Sequence, residues 1–205
     1  LRARLALLHE HLGEPWPDVS DAALADRVEE WLAPAVMSLA GRAGGSSGLA
    51  GSISSGSGNR RFSLERLDVA EALRALLPWP QAAHLGELVP ERIEVPSGSQ
   101  VRVDYTAAGA DSAQIGQAGR PVLAVRVQEC FGWATTPRIV QGRVAVQLHL
   151  LSPARRPVAV TDDLASFWEQ GYPQVRAEMR GRYPKHAWPE DPWNTPATRG
   201  TGRRR

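Results

Sequence analysis

The 205-residue chain is short of several things. It has a single cysteine, Cys130, so no internal disulfide and no two-cysteine zinc knuckle can form. A chain without disulfides fits an intracellular compartment better than an exported one. It has a single lysine, Lys185, so every other cation apart from histidine is one of 23 arginines. A phosphate-cradling Walker loop needs Gly-x-x-x-x-Gly-Lys-Ser/Thr, and Lys185 stands in no such context. Apolar runs are short, Val122 to Val125 being typical, far below the ~20 residues of a membrane helix. No charged-then-apolar leader opens the chain, and its first residue, Leu1, already lies in a helical pattern, as expected for a cytoplasmic piece of a longer protein. The length excludes a motor built from two nucleotide-binding domains, and no Gly-x-Ser-x-Gly elbow or His-Glu-x-x-His helix is present.

What is present is a globular composition, 42% hydrophobic and 22% charged, with an uneven charge. The net charge of +2 divides into −4 over residues 1–136 and +6 over residues 137–205. The basic character is therefore concentrated in the last third.

Hydrophobic spacing divides the chain. Leu5, Leu8 and Leu12 share one helical face that Gly13 can terminate. Ser20 is placed to cap a second helix carrying Leu24, Val28, Trp31 and Leu32, which Pro34 should end or kink. Residues 41–62 are rich in Gly and Ser and read as a flexible connector. A third helix is expected over Leu64–Leu77 and a short one over Gln81–Leu88.

At Pro90 the period changes to two. Ile93 and Val95, then Val101, Val103 and Tyr105, flank the turn Pro96-Ser97-Gly98 and predict a hairpin. Further strands are expected at Val122–Gln128, Arg138–Val140, Arg143–Leu151 and Val158–Val160. Five or six short strands are economically housed in a small, partly closed antiparallel barrel, since closure removes exposed edges. Thr161 then reads as a helix N-cap with Asp162 and Asp163 in the first turn, Leu164, Phe167 and Trp168 as the buried face, and Gly171-Tyr172-Pro173 as a break before a last helix over Gln174–Arg182.

The expected fold class is α+β: an N-terminal helical segment, a small antiparallel, oligonucleotide-binding-like β-barrel, and C-terminal helices. The expected divisions are 1–40 helical, 41–62 connector, 63–88 helices, 89–160 barrel, 161–192 helical extension and 193–205 basic disordered tail.

No residues form a self-contained catalytic constellation or metal site. Cys130 reads as a small buried hydrophobe rather than a nucleophile, and His149 as a surface or partly packed side chain. The binding features are stronger. Arg138, Arg143, Arg155, Arg156, Arg182 and Lys185 are suited to phosphate, and Trp168 and Tyr183 among them could stack on bases, the mixture that single-stranded nucleic acid uses. A solvated arginine face over buried tryptophans fits the same residues, with Trp168 then part of the core.

The runs LERLDVAEALRALLPW (64–79), VPERIEVPSGSQVRVDY (89–105), RPVLAVRVQECFG (120–132), TPRIVQGRVAVQLHLLSPARRPVAVTDDLASFW (136–168) and RGRYPKHAWPEDP (180–192) together resemble the C-terminal region of the bacterial DEAH-type ATP-dependent helicases of the HrpB family. The resemblance covers most of residues 1–192, with the Gly/Ser run 41–59 as a departure. It implies a larger parent whose motor, holding ATP and Mg2+, lies upstream, and in which this portion has no cofactor and no catalysis of its own. It also implies single-stranded RNA or DNA and the motor domains of the same chain as partners, with no membrane. A protein-interaction or bracing module, packing the Pro/Trp-rich end Tyr183–Trp193 onto the motor or an outside protein, is the other reading.

Overall fold

The computed structural model describes residues 1–44, 67–77, 80–106 and 119–201. Most of the expected Gly/Ser connector, the loop around 107–118 and the terminal Arg203–Arg205 lie outside the described residues.

Helix α1 (Arg2–Leu12) buries Leu5, Leu7 and Leu8 and ends at Gly13, whose φ of 66° is open to glycine and whose N–H bonds His9 O at 2.9 Å. Ser20 caps α2 (Asp21–Asp26) by accepting from Ala23 N. The chain then runs as α3 (Val28–Trp31) and α4 (Ala33–Gly44), so the interruptions fall at Arg27 and Leu32, and Pro34 sits in the first turn of α4, where its missing N–H is harmless. Asp68 caps α5 (Val69–Arg74), which is shorter than the expected span, and a single 3₁₀ turn leads into α6 (Leu85–Leu88).

The expected hairpin forms from β1 (Arg92–Glu94) and β2 (Gln100–Asp104), with Ile93 opposite Val101. At its turn Gly98 has φ 76°, and a Cβ there would stand 2.9 Å from the Arg199 guanidinium. Then come β3 (Val122–Arg126), β4 (Arg138–Ile139), β5 (Val144–Ala145), β6 (Gln147–Leu151) and β7 (Pro157–Thr161).

The barrel expectation is wrong. The strands form one open five-stranded sheet in the order β1-β2-β3-β6-β7, and β4 and β5 pair separately as a small ribbon. At the centre β3 and β6 run parallel, Leu123 beside Leu148 and Val125 beside Leu150, while the other pairings are antiparallel. A parallel pair needs a crossover, and residues 127–146 supply it, carrying the β4–β5 ribbon. Closure would require β1 to meet β7, and these are the two edges. Adjacent residues of a strand point to opposite faces: on β3, Leu123 and Val125 are buried on one face, while on the other Val122 is buried and Ala124 is exposed, so that face is covered at one end only.

The last helical region also departs from expectation. Asp163, not Thr161, caps helix α7 (Leu164–Ser166) by accepting from Ser166 N, while Thr161 Oγ1 accepts from Asp163 N. Gly171-Tyr172-Pro173 does not break the chain. A π-turn over Phe167–Gly171 joins α7 to α8 (Tyr172–Arg182), with Tyr172 N–H reaching Phe167 O. Pro173 has no N–H to give, and the widened turn absorbs its ring at the start of α8. Gly171 is required by packing, since a Cβ would meet the Phe167 ring at 2.8 Å.

One apolar core joins α1, Trp16 and Val19 to the sheet, Phe131, Trp168, Tyr172, Met179 and Trp188. The segment expected as a disordered tail is seated on the body as far as it is described. Thr198 N–H donates to Gln128 O (2.9 Å), Arg199 Nε to Ser97 O (2.9 Å) and Arg126 Nη1 to Arg199 O (3.1 Å).

Candidate nucleic-acid interface

The structure separates the basic residues into those already engaged and those that are not. Arg138, on β4, donates from Nε to Gly142 O (2.6 Å) and from Nη2 to Arg143 O (3.2 Å). It thereby holds the loop of its own hairpin, where Val140 and Gln141 adopt φ of 53° and 56°. A β-branched residue in that region is strained by about 1–2 kcal/mol, and full burial of the Val140 side chain offsets it. Arg143 donates to His11 O at 2.5 Å, placing a cation on an orphan carbonyl at the C-terminus of α1. Together with Arg120, which pairs with Asp162 at 3.3 Å, these two line a cleft of about 380 Å³ between α1 and the ribbon.

The second group gathers at the other end of β6. Gln147, its first residue, borders the first cleft, and Ser152, just past its last residue, borders the second. Five residues of strand rise put the two ends ~17 Å apart. Ser152 is buried; its N–H donates to Arg156 O at 2.8 Å and its Oγ accepts from Arg156 N at 3.1 Å. This closes a turn in which Arg155 takes φ 60°. The turn presents Arg155 and Arg156 to solvent beside the C-terminal end of α8, which brings Arg182 and Tyr183. Arg156, Arg182 and Tyr183 share a cleft of about 220 Å³ whose walls include Val158, Val175 and Met179. Among the described residues, no hydrogen bond or ion pair engages the side chains of Arg155, Arg156, Arg182 or Lys185. Acids elsewhere are taken up by other arginines: Asp21 by Arg2, Glu91 by Arg4 and Glu190 by Arg176.

Of the two aromatic candidates, Tyr183 is half-buried beside this cleft, edge-on to His186 at 6.2 Å. Trp168 is not available for stacking. It is 2% exposed, donates its indole N–H to Trp133 O (2.9 Å) and packs against Phe167, Tyr172 and Phe131. Trp188 is likewise buried within the chain and donates to Tyr183 O (3.1 Å), and Arg176 binds Trp188 O (2.9 Å). The Pro/Trp-rich end is thus folded back onto α8. Cys130 is fully buried, and burial pushes its thiol well above the ordinary range, with Glu129 adding to the shift. Glu178, which also borders the second cleft, was not marked by the sequence. Its signal was present in the spacing, four residues before Arg182 on the same helix.

Over residues 54–192 the chain matches the family model described as ATP-dependent helicase C-terminal, HrpB_C. The chain belongs to the HrpB helicase C-terminal family. It is 40% identical over 202 residues to the ATP-dependent RNA helicase HrpB of Escherichia coli (strain K12), an alignment covering 98% of this chain and 21% of that protein. Two solved structures share the fold. The E. coli DExH-box NTPase HrpB matches with a TM-score of 0.74 at 40% identity, over 97% of this chain and 21% of the other. The E. coli DEAH/RHA helicase HrpB matches with a TM-score of 0.62 at 37% identity, over 91% and 20%. The chain therefore spans about a fifth of the length of its HrpB relatives. No described helix is long and apolar enough to cross a membrane.

Proposed function

We propose that this HrpB C-terminal module contacts single-stranded RNA for an ATP-dependent helicase, through the corner where Arg156, Arg182 and Tyr183 meet, with Arg155 in the adjoining turn and Lys185 two residues after Tyr183. The observation that carries the reading is that, among the described residues, these cations have no hydrogen-bond or ion-pair partner, next to a half-buried tyrosine, whereas most of the other described arginines are paired or hydrogen-bonded. Unpaired guanidinium groups release counterions on meeting phosphate, and an aromatic face stacks on bases without regard to sequence. Arg138 and Arg143 support the ribbon in this reading. ATP and Mg2+ belong to the parent's motor: the residues here offer no glycine-rich loop ending in Lys-Ser/Thr, and Lys185 lies beyond α8.

The test is a titration of labelled single-stranded RNA across salt concentrations. Removing one cation that neutralises a phosphate lowers the slope of log K against log salt by about 0.7. The combined substitution of Arg155, Arg156 and Arg182 by Ala should thus lower it by about 2. An unchanged slope, or no binding at low salt by the starting protein, refutes the proposal.

A bracing role is favoured by a different surface, on the N-terminal helices. Val28, Met37 and Val69 are exposed there, Met37 by 72%, beside an apolar groove of about 270 Å³ lined by Trp31, Leu39 and Ala72. Met37→Glu would weaken contact with the rest of the parent protein and leave the melting temperature of this chain unchanged.

A further inference from the structure

The cleft beside Tyr183 has a chemistry more specific than phosphate contact requires. Its apolar walls are Pro157, Val158, Val175 and Met179, and its volume of about 220 Å³ suits one ring system rather than a whole nucleotide. Drug-sized ligands need at least ~300 Å³. Arg156 and Arg182 stand exposed at its border, where phosphates outside the cleft can reach them. Glu178 faces the same space. Glu178 and Arg182 are four residues apart on α8, the order that favours a helical ion pair. No such pair is formed among the described residues, so the Glu178 carboxylate is left without a protein donor in a cleft otherwise fitted for an anionic strand.

A carboxylate in a phosphate-binding corner weakens binding unless it meets a donor. An ionised carboxylate only accepts hydrogen bonds. Among the pyrimidines, cytosine presents an amino group at ring position 4, and uracil presents a carbonyl oxygen there. Resting on the RNA-contact reading, we infer that this cleft seats a single base carrying an exocyclic amino group, which donates to Glu178 while the ring lies against Tyr183, so that the module selects cytosine over uracil. Adenine carries the equivalent donor and is accepted by the same chemistry.

The experiment measures binding of short, labelled oligo(C) and oligo(U) RNA to the 205-residue chain and to its Glu178→Gln variant, at neutral pH and fixed salt. These strands have the same backbone charge, and their bases differ at the group in question. A single charge-assisted hydrogen bond, taken at the low end of its range because Glu178 is exposed, should make oligo(C) bind about ten-fold more tightly. In Glu178→Gln the ratio should fall to about one, with the change seen mainly as tighter oligo(U) binding, because the amide both donates and accepts. Glu178 is exposed, and an unchanged melting temperature checks that the variant is folded. Equal binding of the two oligomers by the starting protein overturns the base selection alone and leaves the phosphate contact standing. Preserved preference in Glu178→Gln also overturns it. No binding of either oligomer overturns both readings.

Discussion

Replacing Trp168 separates a stacking residue from a core residue. The indole is 2% exposed, with ring centroids 5.1 Å from Phe167, 5.4 Å from Tyr172 and 6.0 Å from Phe131, and its N–H bonds Trp133 O at 2.9 Å. Truncation to Ala leaves a cavity among three aromatic rings and should cost about 3–5 kcal/mol. Trp168→Phe keeps one ring, gives up part of the packed area and strands the Trp133 carbonyl, for about 2 kcal/mol. In a domain of this size each kcal/mol lowers Tm by about 2–4 °C, so Phe should lower it by about 4–8 °C and Ala by about 6–20 °C. Thermal and urea unfolding followed by circular dichroism measure this, and an unchanged m-value confirms that only stability has moved. RNA affinity of folded Trp168→Phe, measured well below its Tm, should equal that of the starting protein. A variant with unchanged Tm and weakened RNA binding would refute the placement of Trp168 in the core.

Cys130 should resist aromatic disulfide reagents in the native protein at mildly alkaline pH and react fully once the chain is unfolded, because burial holds it as the neutral thiol; rapid native labelling would contradict this. His186 gives a pH dependence whose sign is fixed. Partial burial, helped by Arg126, lowers its folded pKa below the ordinary value of about 6.5. The unfolded chain therefore binds the proton first on acidification, so this part of the stability is complete above about pH 6.5 and is lost as the pH falls through the lowered folded value. His186→Gln should flatten the urea midpoint between pH 7 and pH 5, and an unchanged slope would remove His186 as its source. Asp191 acts in a separate, more acidic window. Hydrogen bonds from the Asn194 side chain and from the Asn194 and Trp193 backbone hold its carboxyl below the usual range, so its contribution is present above about pH 4 and lost below it.

Local chemistry made much of the fold legible. The hairpin β1–β2 follows from alternation across Pro96-Ser97-Gly98, α1 from its leucine stripe and Gly13, and α2 from Ser20. Sheet order was not legible, because alternation does not say which strand lies beside which, nor in which direction. One signal was available. Pro121-Val122-Leu123-Ala124-Val125 is almost continuously apolar instead of alternating, which favours a central position with a parallel neighbour over a place in a barrel wall, although Ala124 itself is exposed. The segment Gly171-Tyr172-Pro173 misled for a different reason. Glycine and proline there act through side-chain packing and a widened helical turn, which depend on Phe167 and not on the dipeptides alone.

The candidate site was legible as composition and not as availability. The excess of positive charge after residue 136 counts Arg138 and Arg143 equally with Arg156 and Arg182, yet the first two are engaged by carbonyls of Gly142, Arg143 and His11, the last of these 132 residues away in sequence. A guanidinium bound to a carbonyl at a helix end keeps its charge but has fewer donors left for a phosphate. The proposed interface is therefore set by which cations the fold leaves without partners among the described residues. That choice is made by the Ser152–Arg156 turn and the end of α8, two elements joined only when β7 packs beside β6. It follows that changes which loosen the turn, such as Ser152→Ala, which removes the hydroxyl that accepts from Arg156 N, should weaken RNA binding by spreading Arg155 and Arg156 away from Arg182, even though Ser152 is buried and itself touches no phosphate.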